Sequence, residues 1–516
     1  MKIIYLFLGP VKRYNPQKGR DVAVFKLHAA PFSFFLRGSA FMDHLSFICS
    51  YVDQNEKKFT ELSDEIWSCA ETRFEEYRSS KLQQELMLRE GFSVRADLAG
   101  EKTAFIAEYG SGKPVIALMG EFDALEGMSQ EADVSQCRPL DEGKPGHGCG
   151  HNLLGVGALA AAVTLKALME RENLSGTIRY YGCPAEENAG GKAFLVRDGY
   201  FADCDLAISW HPFAYNQVVY GSSNANYRVF FTFQGRAAHA SNSPHLGRSA
   251  LDAVELMDVG VNYMREHMID EARVHYAITE TGGKAPNVVQ SRAQVLYAIR
   301  APKVTQVDEL FRRICKIAQG AAMMTETQVE IKQVAAYSNM VSNEVICRQM
   351  EKAFRDIPPL TYTEEELDYA RRFQSALSED TRTGLRAYAL HHFGPEQADA
   401  QASQPIHTLL ADHSKYESMK GSADMGDVSW NIPTAYFYGA TWAAGTPTHS
   451  WQAVAQGKSS IAHKGMLHAA KVLAATGYAF LTDLALVEQA KENLEQMLGG
   501  ETYPDPLPPE CIPEVW

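Results

Sequence analysis

Between residues 42 and 222 short apolar runs alternate with helical ones, and this alternation limits what the chain can fold into more than any other feature. TAFIAEY, PVIALMG, GTIRYYGC and DLAISW read as strands, and the small-residue stretch 154–169 reads as a helix among them. Strands separated by helices build a largely parallel sheet with helices on its faces. The polar motifs fall just after those strands, at the ends where open α/β sheets place ligands. From 223 the pattern changes. A strand at 228–234 precedes a helix with Ala250, Val254, Met257, Val261 and Met264 on one stripe. VHYAIT and QVLYAIR follow as strands, then a helix over 304–324 with Leu310, Ile314, Ile317 and Ala321 on one face, then strand QVEIKQV. The order βαββαβ is the ferredoxin-like signature, so 223–336 is expected as an inserted α+β domain. After 337 the first pattern returns: helix NEVICRQMEKAF, a polar stretch 357–420 expected as loop with some helix, strand TAYFYG and a helix over 460–481. The expected class is α/β, a mixed, mostly parallel sheet flanked by helices, with the main domain divided into 42–222 and 337–516.

A chain of 516 residues, 46% of them hydrophobic, is long enough for two domains with cores. The formal net charge of −14 argues against nucleic acid, whose phosphates an acidic surface repels. No uninterrupted apolar run reaches the roughly 18 residues of a spanning helix, so no membrane partner is expected. Residues 1–41 carry seven Lys and Arg against the single acid Asp21, in no helical or strand period, and are expected to be a leader outside the core. The opening MKIIYLFLGP meets Lys12 and Arg13 at once and lacks a small-residue cleavage site, unlike a secretory signal. Nine scattered cysteines without a CxxC pair fit a reducing compartment, which predicts a cytoplasmic protein.

Chemistry concentrates in a few loops. PGHGCGHN sets His147, Cys149 and His151 on alternate positions before the small-residue helix, where side chains can converge on one ion and a helix N-terminus favours a thiolate. A packed, inert Cys-His loop is the alternative. In PAEENAGG, Glu186 and Glu187 stand side by side after a strand that reads as buried; paired acids there repel unless cations neutralise them. Two solvated loop acids would look the same. His211 ends the strand DLAISW, and His449 lies in the Gly/Pro-rich GTPTHSWQ. A mixture of thiol, imidazole and carboxylate suits borderline metals such as zinc, manganese or cobalt. Asp123, in MGEFDAL, could accept a hydrogen bond from a ligating imidazole and orient it, or simply serve the loop.

GEFDAL, GHGCGHN, CPAEENAGG, SWHP, GRAAHASNSPHLGRSALDAV, PNVV, SADMGDVSW and GTPTHSWQAVAQGKSSIAHKGM occur in this order. Together they resemble the aminoacylase and carboxypeptidase-G metallopeptidase family, in the branch that holds the auxin-conjugate hydrolases, from about Met42 to about residue 485. The resemblance implies a metal-dependent amidohydrolase with two divalent ions held by Cys149, His151, Glu187, His211 and His449, Cys149 bridging. It implies Glu186 as general base, Asp123 and His239 in catalysis, His239 reaching a neighbouring subunit's site, and Asn287 and Arg300 as substrate-binding residues. The implied substrate is an N-acyl, in particular aroyl, amino acid such as p-aminobenzoyl-glutamate. The implied assembly is a homodimer or a heteromer with a related subunit, through a lid and dimerisation domain at 223–336. A dipeptidase or carboxypeptidase on the same centre, or a weakly active regulatory subunit, are the rival readings. Two positions depart from the family's pattern: Glu121 stands where many relatives have His, and Asn152 where the auxin-conjugate branch usually has Asp.

Overall fold

The computed structural model describes residues 33–515, with side chains from His44 onward. Contacts divide the chain between Asp43 and His44, and of the first unit only helical backbone is described, within the helix Ser33–Gln54. The expected leader thus lies, for 1–32, outside the described residues.

The second unit holds two sheets. Seven strands form the first: β1 (Ser93–Leu98), β2 (Glu101–Ser111), β3 (Val115–Glu121), β4 (Gly176–Cys183), β5 (Leu206–Phe213), β6 (Gln217–Val218) and, much later, β11 (Thr434–Ala440). Their order is β1-β2-β4-β3-β5-β11-β6. The central strands β4, β3, β5 and β11 run parallel, while β1, β2 and β6 add antiparallel edges. Every residue of β3 and of β11 is buried, as parallel strands covered on both faces should be.

One covering layer is the helix His151–Glu172, against which the helix Ser460–Thr482 packs. His151–Glu172 is long and apolar enough to cross a membrane, but most of its side chains, including every one from His151 to Leu165, are buried inside the molecule. Its small residues let it lie close to the sheet: a Cβ on Gly155 would sit 2.7 Å from the Glu121 carbonyl oxygen. Trp210 from β5 fills the space beside it, fully buried, with its indole N–H on the Leu154 carbonyl. Burying one such aromatic stabilises the fold by about 1.5–3 kcal/mol.

The second sheet consists of β7 (Ala225–Gln234), β8 (Arg273–Glu280), β9 (Arg292–Ala301) and β10 (Gln328–Tyr337), all antiparallel in the order β10-β7-β9-β8. Helices Ala250–Met264 and Val304–Thr325 join the strands, giving the βαββαβ sequence with its first strand central. The predicted stripe is the buried one: Ala250, Val254, Met257, Val261 and Met264 are all in the core, against Val229, Phe231, Phe233 and Tyr297.

The polar stretch 357–420 contains more helix than its composition suggests, in Glu364–Ser375, Glu379–Phe393 and Ala398–Ala402. Side-chain caps explain two of the starts: Thr363 and Glu366 form a reciprocal capping box, and Ser378 accepts from the Thr381 N–H. A last helix, Leu484–Leu498, begins at an Asp483 cap and buries Val487, Ala490 and Leu494 at spacings of three and four.

Candidate metal centre

Four parallel strands deliver the polar motifs to one corner. β3 ends at Glu121, with Asp123 two residues beyond. β4 ends at Cys183, and the turn through Ala185, at φ +56°, presents Glu186 and Glu187. His211 lies in β5 opposite Tyr438 of β11. His449 follows β11 at φ +53° and donates its backbone N–H to the Gly148 carbonyl at 2.9 Å, tying the two ligand loops together. Left-handed backbone at non-glycine residues is held only where its surroundings impose it. Gly150, at φ +74°, turns the chain into the helix that starts at His151, and a Cβ there would lie 2.9 Å from Pro212.

The donor atoms converge. Three groups have ligand atoms within 4.8 Å of one another: Glu121, His151 and Glu186, and two that contain Cys149, namely Cys149, His151 and His211, and Cys149, Glu187 and His449. Cys149 Sγ is 3.4 Å from His211 Nε2, and His449 Nε2 is 3.3 Å from Glu187 Oε2. Outer bonds fix the imidazoles: His151 Nδ1 is 2.9 Å from Asp123 Oδ1, and His211 Nδ1 donates to the Pro212 carbonyl at 2.8 Å, so that each Nε2 is turned toward the centre. Asp123 also uses its other oxygen, accepting from the Glu187 N–H at 3.0 Å. Buried His151 Nε2 and Glu187 Oε1 make no hydrogen bond. Uncommitted buried donors in a set of thiol, imidazole and carboxylate are what a divalent cation pair would fill.

The electrostatics point the same way. Burial and the Glu187 carboxylate raise the Cys149 thiol, but His211 and His151 outweigh them and bring it down to about 6. Burial likewise raises Glu187, yet the hydrogen bond from His449 and the charge of His151 hold it near 2. His449 is pushed up to about 11 by its bonds to Cys149 and Glu187. Glu186 is driven well above the usual carboxylate range by burial first, then by Glu121, Glu187 and Asp424. The corner is therefore an anionic pocket that draws positive charge onto its histidines.

Behind it lies a lattice that the sequence does not reveal. Lys192, fully buried, bonds Glu121 Oε1 at 2.6 Å and also Asp424, whose other oxygen accepts the Lys192 backbone N–H at 2.9 Å. Glu121 in turn lies 3.3 Å from His151 Nε2. His147 takes no part in any of the three donor groups; its Nε2 is 3.1 Å from the Ile66 carbonyl, and burial lowers its pKa to about 3, keeping it neutral.

A cavity of about 230 Å³ opens beside the centre, lined among others by Cys149, Glu186, Glu187, His211 and His449, and by Arg228, Arg300 and Tyr337 of the four-stranded sheet. Arg300 is thus where substrate could reach it. His239 and Asn287 are not among the lining residues. Both stand on the four-stranded unit away from the cavity, where the Ala240 N–H donates to the Asn287 carbonyl at 3.0 Å and the His239 ring accepts from Ser241 and Asn242.

The profile of Peptidase family M20/M25/M40 matches residues 117–512. The chain belongs to this family. It is 44% identical over 473 residues, 90% of its length and 98% of the other, to one of the subunits of the p-aminobenzoyl-glutamate hydrolase of Escherichia coli K12. It is 27% identical to the Xaa-Arg dipeptidase of Mus musculus, over 87% of this chain and 92% of that one. Its fold resembles the crystal structure of the aminobenzoyl-glutamate utilization protein from Klebsiella pneumoniae, with a TM-score of 0.52 at 18% identity, covering 81% of this chain and 97% of that one. This M20/M25/M40 member is a hydrolase acting on amide bonds.

Proposed function

We propose that the chain cleaves the amide bond of an N-acyl amino acid, foremost an aroyl amino acid such as p-aminobenzoyl-glutamate, at a two-metal centre. The observation that carries this reading is the Cys149 thiol common to two donor groups, with Glu186 facing the same cavity. Cys149, His151 and His211 would hold one divalent ion, and Cys149, Glu187 and His449 the other; zinc, manganese and cobalt all suit these donors. Two such ions supply the positive charge that acidifies a water and polarises an amide carbonyl.

The chain's own residues do the rest. Glu186 accepts a proton from the attacking water and passes it to the leaving nitrogen. Asp123 orients His151 and anchors the Glu187 backbone, so one carboxylate sets the geometry of both donor groups. Arg300 binds the free carboxylate of the amino acid with its planar fork. His239 and Asn287, on the four-stranded unit, act in the site of a neighbouring subunit. Residues 223–336 are then the lid and dimerisation domain of a catalytic domain made from 42–222 and 337–516. The designation of the Escherichia coli relative as a subunit supports a heteromer beside the homodimer. All nine cysteines are free thiols, which suits a cytoplasmic site of action.

The dipeptidase relative favours one second reading, hydrolysis of free dipeptides at the same centre. A panel of aroyl-glutamates and dipeptides separates the two. For the mechanism, Glu186→Gln is expected to lower kcat by about 10²–10⁴-fold with metal content unchanged. Undiminished turnover in that variant would contradict the role of Glu186.

A further inference from the structure

We propose that Arg228 selects the amino-acid half of the substrate by taking the second carboxylate of an acidic leaving amino acid, while Arg300 takes its α-carboxylate. This rests on the amidohydrolase reading above and adds to it a specificity residue and a substrate class.

The register of the second sheet places the groups. Asn226 of β7 pairs with Arg300 of β9 on one side and with Tyr337 of β10 on the other. Arg228, two residues along β7, shares their face, because strand side chains alternate. Diagonal neighbours on adjacent strands lie about 7–8 Å apart, within reach of long side chains. Arg228, Arg300 and Tyr337 line the same cavity as Cys149, Glu186 and His449.

This face is cationic and unanswered. Arg228 Nη2 donates to the Glu187 carbonyl at 3.0 Å, which brings the guanidinium to the edge of the metal corner, yet its Nε is buried without a partner. Arg300 Nε is in the same position, and Asn226, fully buried, has no partner for either amide atom. Among the described residues no carboxylate forms an ion pair with either arginine. Two guanidiniums on adjoining strands repel one another, and buried donors left unpaired are costly, unless an anion enters between them. An amino acid with one carboxylate answers one arginine; a dicarboxylic amino acid answers both, each through a charge-assisted fork. In the same lining Phe213, Met419 and Tyr438 offer an apolar surface for the acyl half.

The test compares p-aminobenzoyl-glutamate with p-aminobenzoyl-glutamine, which keeps the shape and loses the second charge. Metal-loaded wild-type protein, Arg228→Gln, Arg228→Lys and Arg300→Gln are assayed. Wild type is expected to favour the glutamate substrate by about 10–100-fold in kcat/KM. Arg228→Gln should bring that ratio close to one, Arg228→Lys should restore part of it, and Arg300→Gln should weaken both substrates with the ratio kept. Competition by free glutamate against free glutamine, read by thermal shift, should lose the same preference in Arg228→Gln. Equal losses on both substrates in Arg228→Gln would mean that Arg228 only supports the Glu187 carbonyl, and the proposal falls. It falls equally if Arg300→Gln is the variant that erases the ratio. If wild type cleaves neither compound, the aroyl-amino-acid reading fails, and the thermal-shift preference alone then decides for or against Arg228.

Discussion

At the C-terminal ends of β3, β4, β5 and β11 charges are held in mutual compensation, Lys192 between Glu121 and Asp424, His449 on Glu187, His151 on Asp123. In the same cavity, on β7 and β9, Arg228 and Arg300 form no ion pair with a carboxylate among the described residues. The difference separates two tasks. A corner that must position ions and a base has its side chains fixed from behind, whereas a face that must accept a charged ligand leaves its donors open until the ligand comes.

If the corner depends on compensation, removing its buried lysine should cost most. Lys192→Met leaves Glu121 and Asp424 as uncompensated buried acids and is expected to lower unfolding free energy by about 3–5 kcal/mol in a urea titration. A loss below about 1 kcal/mol would show that Lys192 does not hold the lattice together. Asp123→Asn should come next: one of its two bonds must be lost, because an amide offers only one acceptor oxygen to His151 and the Glu187 N–H. A fall of about 10–100-fold in metal affinity or activity is expected, measured by competition with a chelator. The arginine variants on the second sheet belong at the small end, changing which substrate binds rather than whether the protein folds or loads metal. Destabilisation by Arg228→Gln comparable to that of Lys192→Met would erase the contrast between the two regions.

The donor set is legible in the sequence because its members fall at the ends of apolar strands, so the expected topology already brings Cys149, Glu187, His211 and His449 to one edge. The four-stranded unit is legible because each of its helices has a single apolar stripe. Lys192 is not, since a lysine beside Ala193 and Phe194 reads as a solvent-facing side chain, and its buried partners are remote in the chain, Glu121 on β3 and Asp424, 232 residues away. Arg228 carries a usable signal: period-two alternation puts it opposite Val229, Phe231 and Phe233, off the core face. The helices within 357–420 are obscured by polar composition, although the Thr363 and Glu366 capping pair is readable. His239 and Asn287 carry motif information but no distance, and the fold places them outside the cavity of their own chain.

Metal stoichiometry by elemental analysis, on wild type and on Cys149→Ala, tests the shared-thiol centre most directly. Two divalent ions per wild-type chain, with both sites weakened together when the common ligand is removed, is the expected result. A single ion in the wild type, or two ions retained at undiminished affinity by Cys149→Ala, would contradict it.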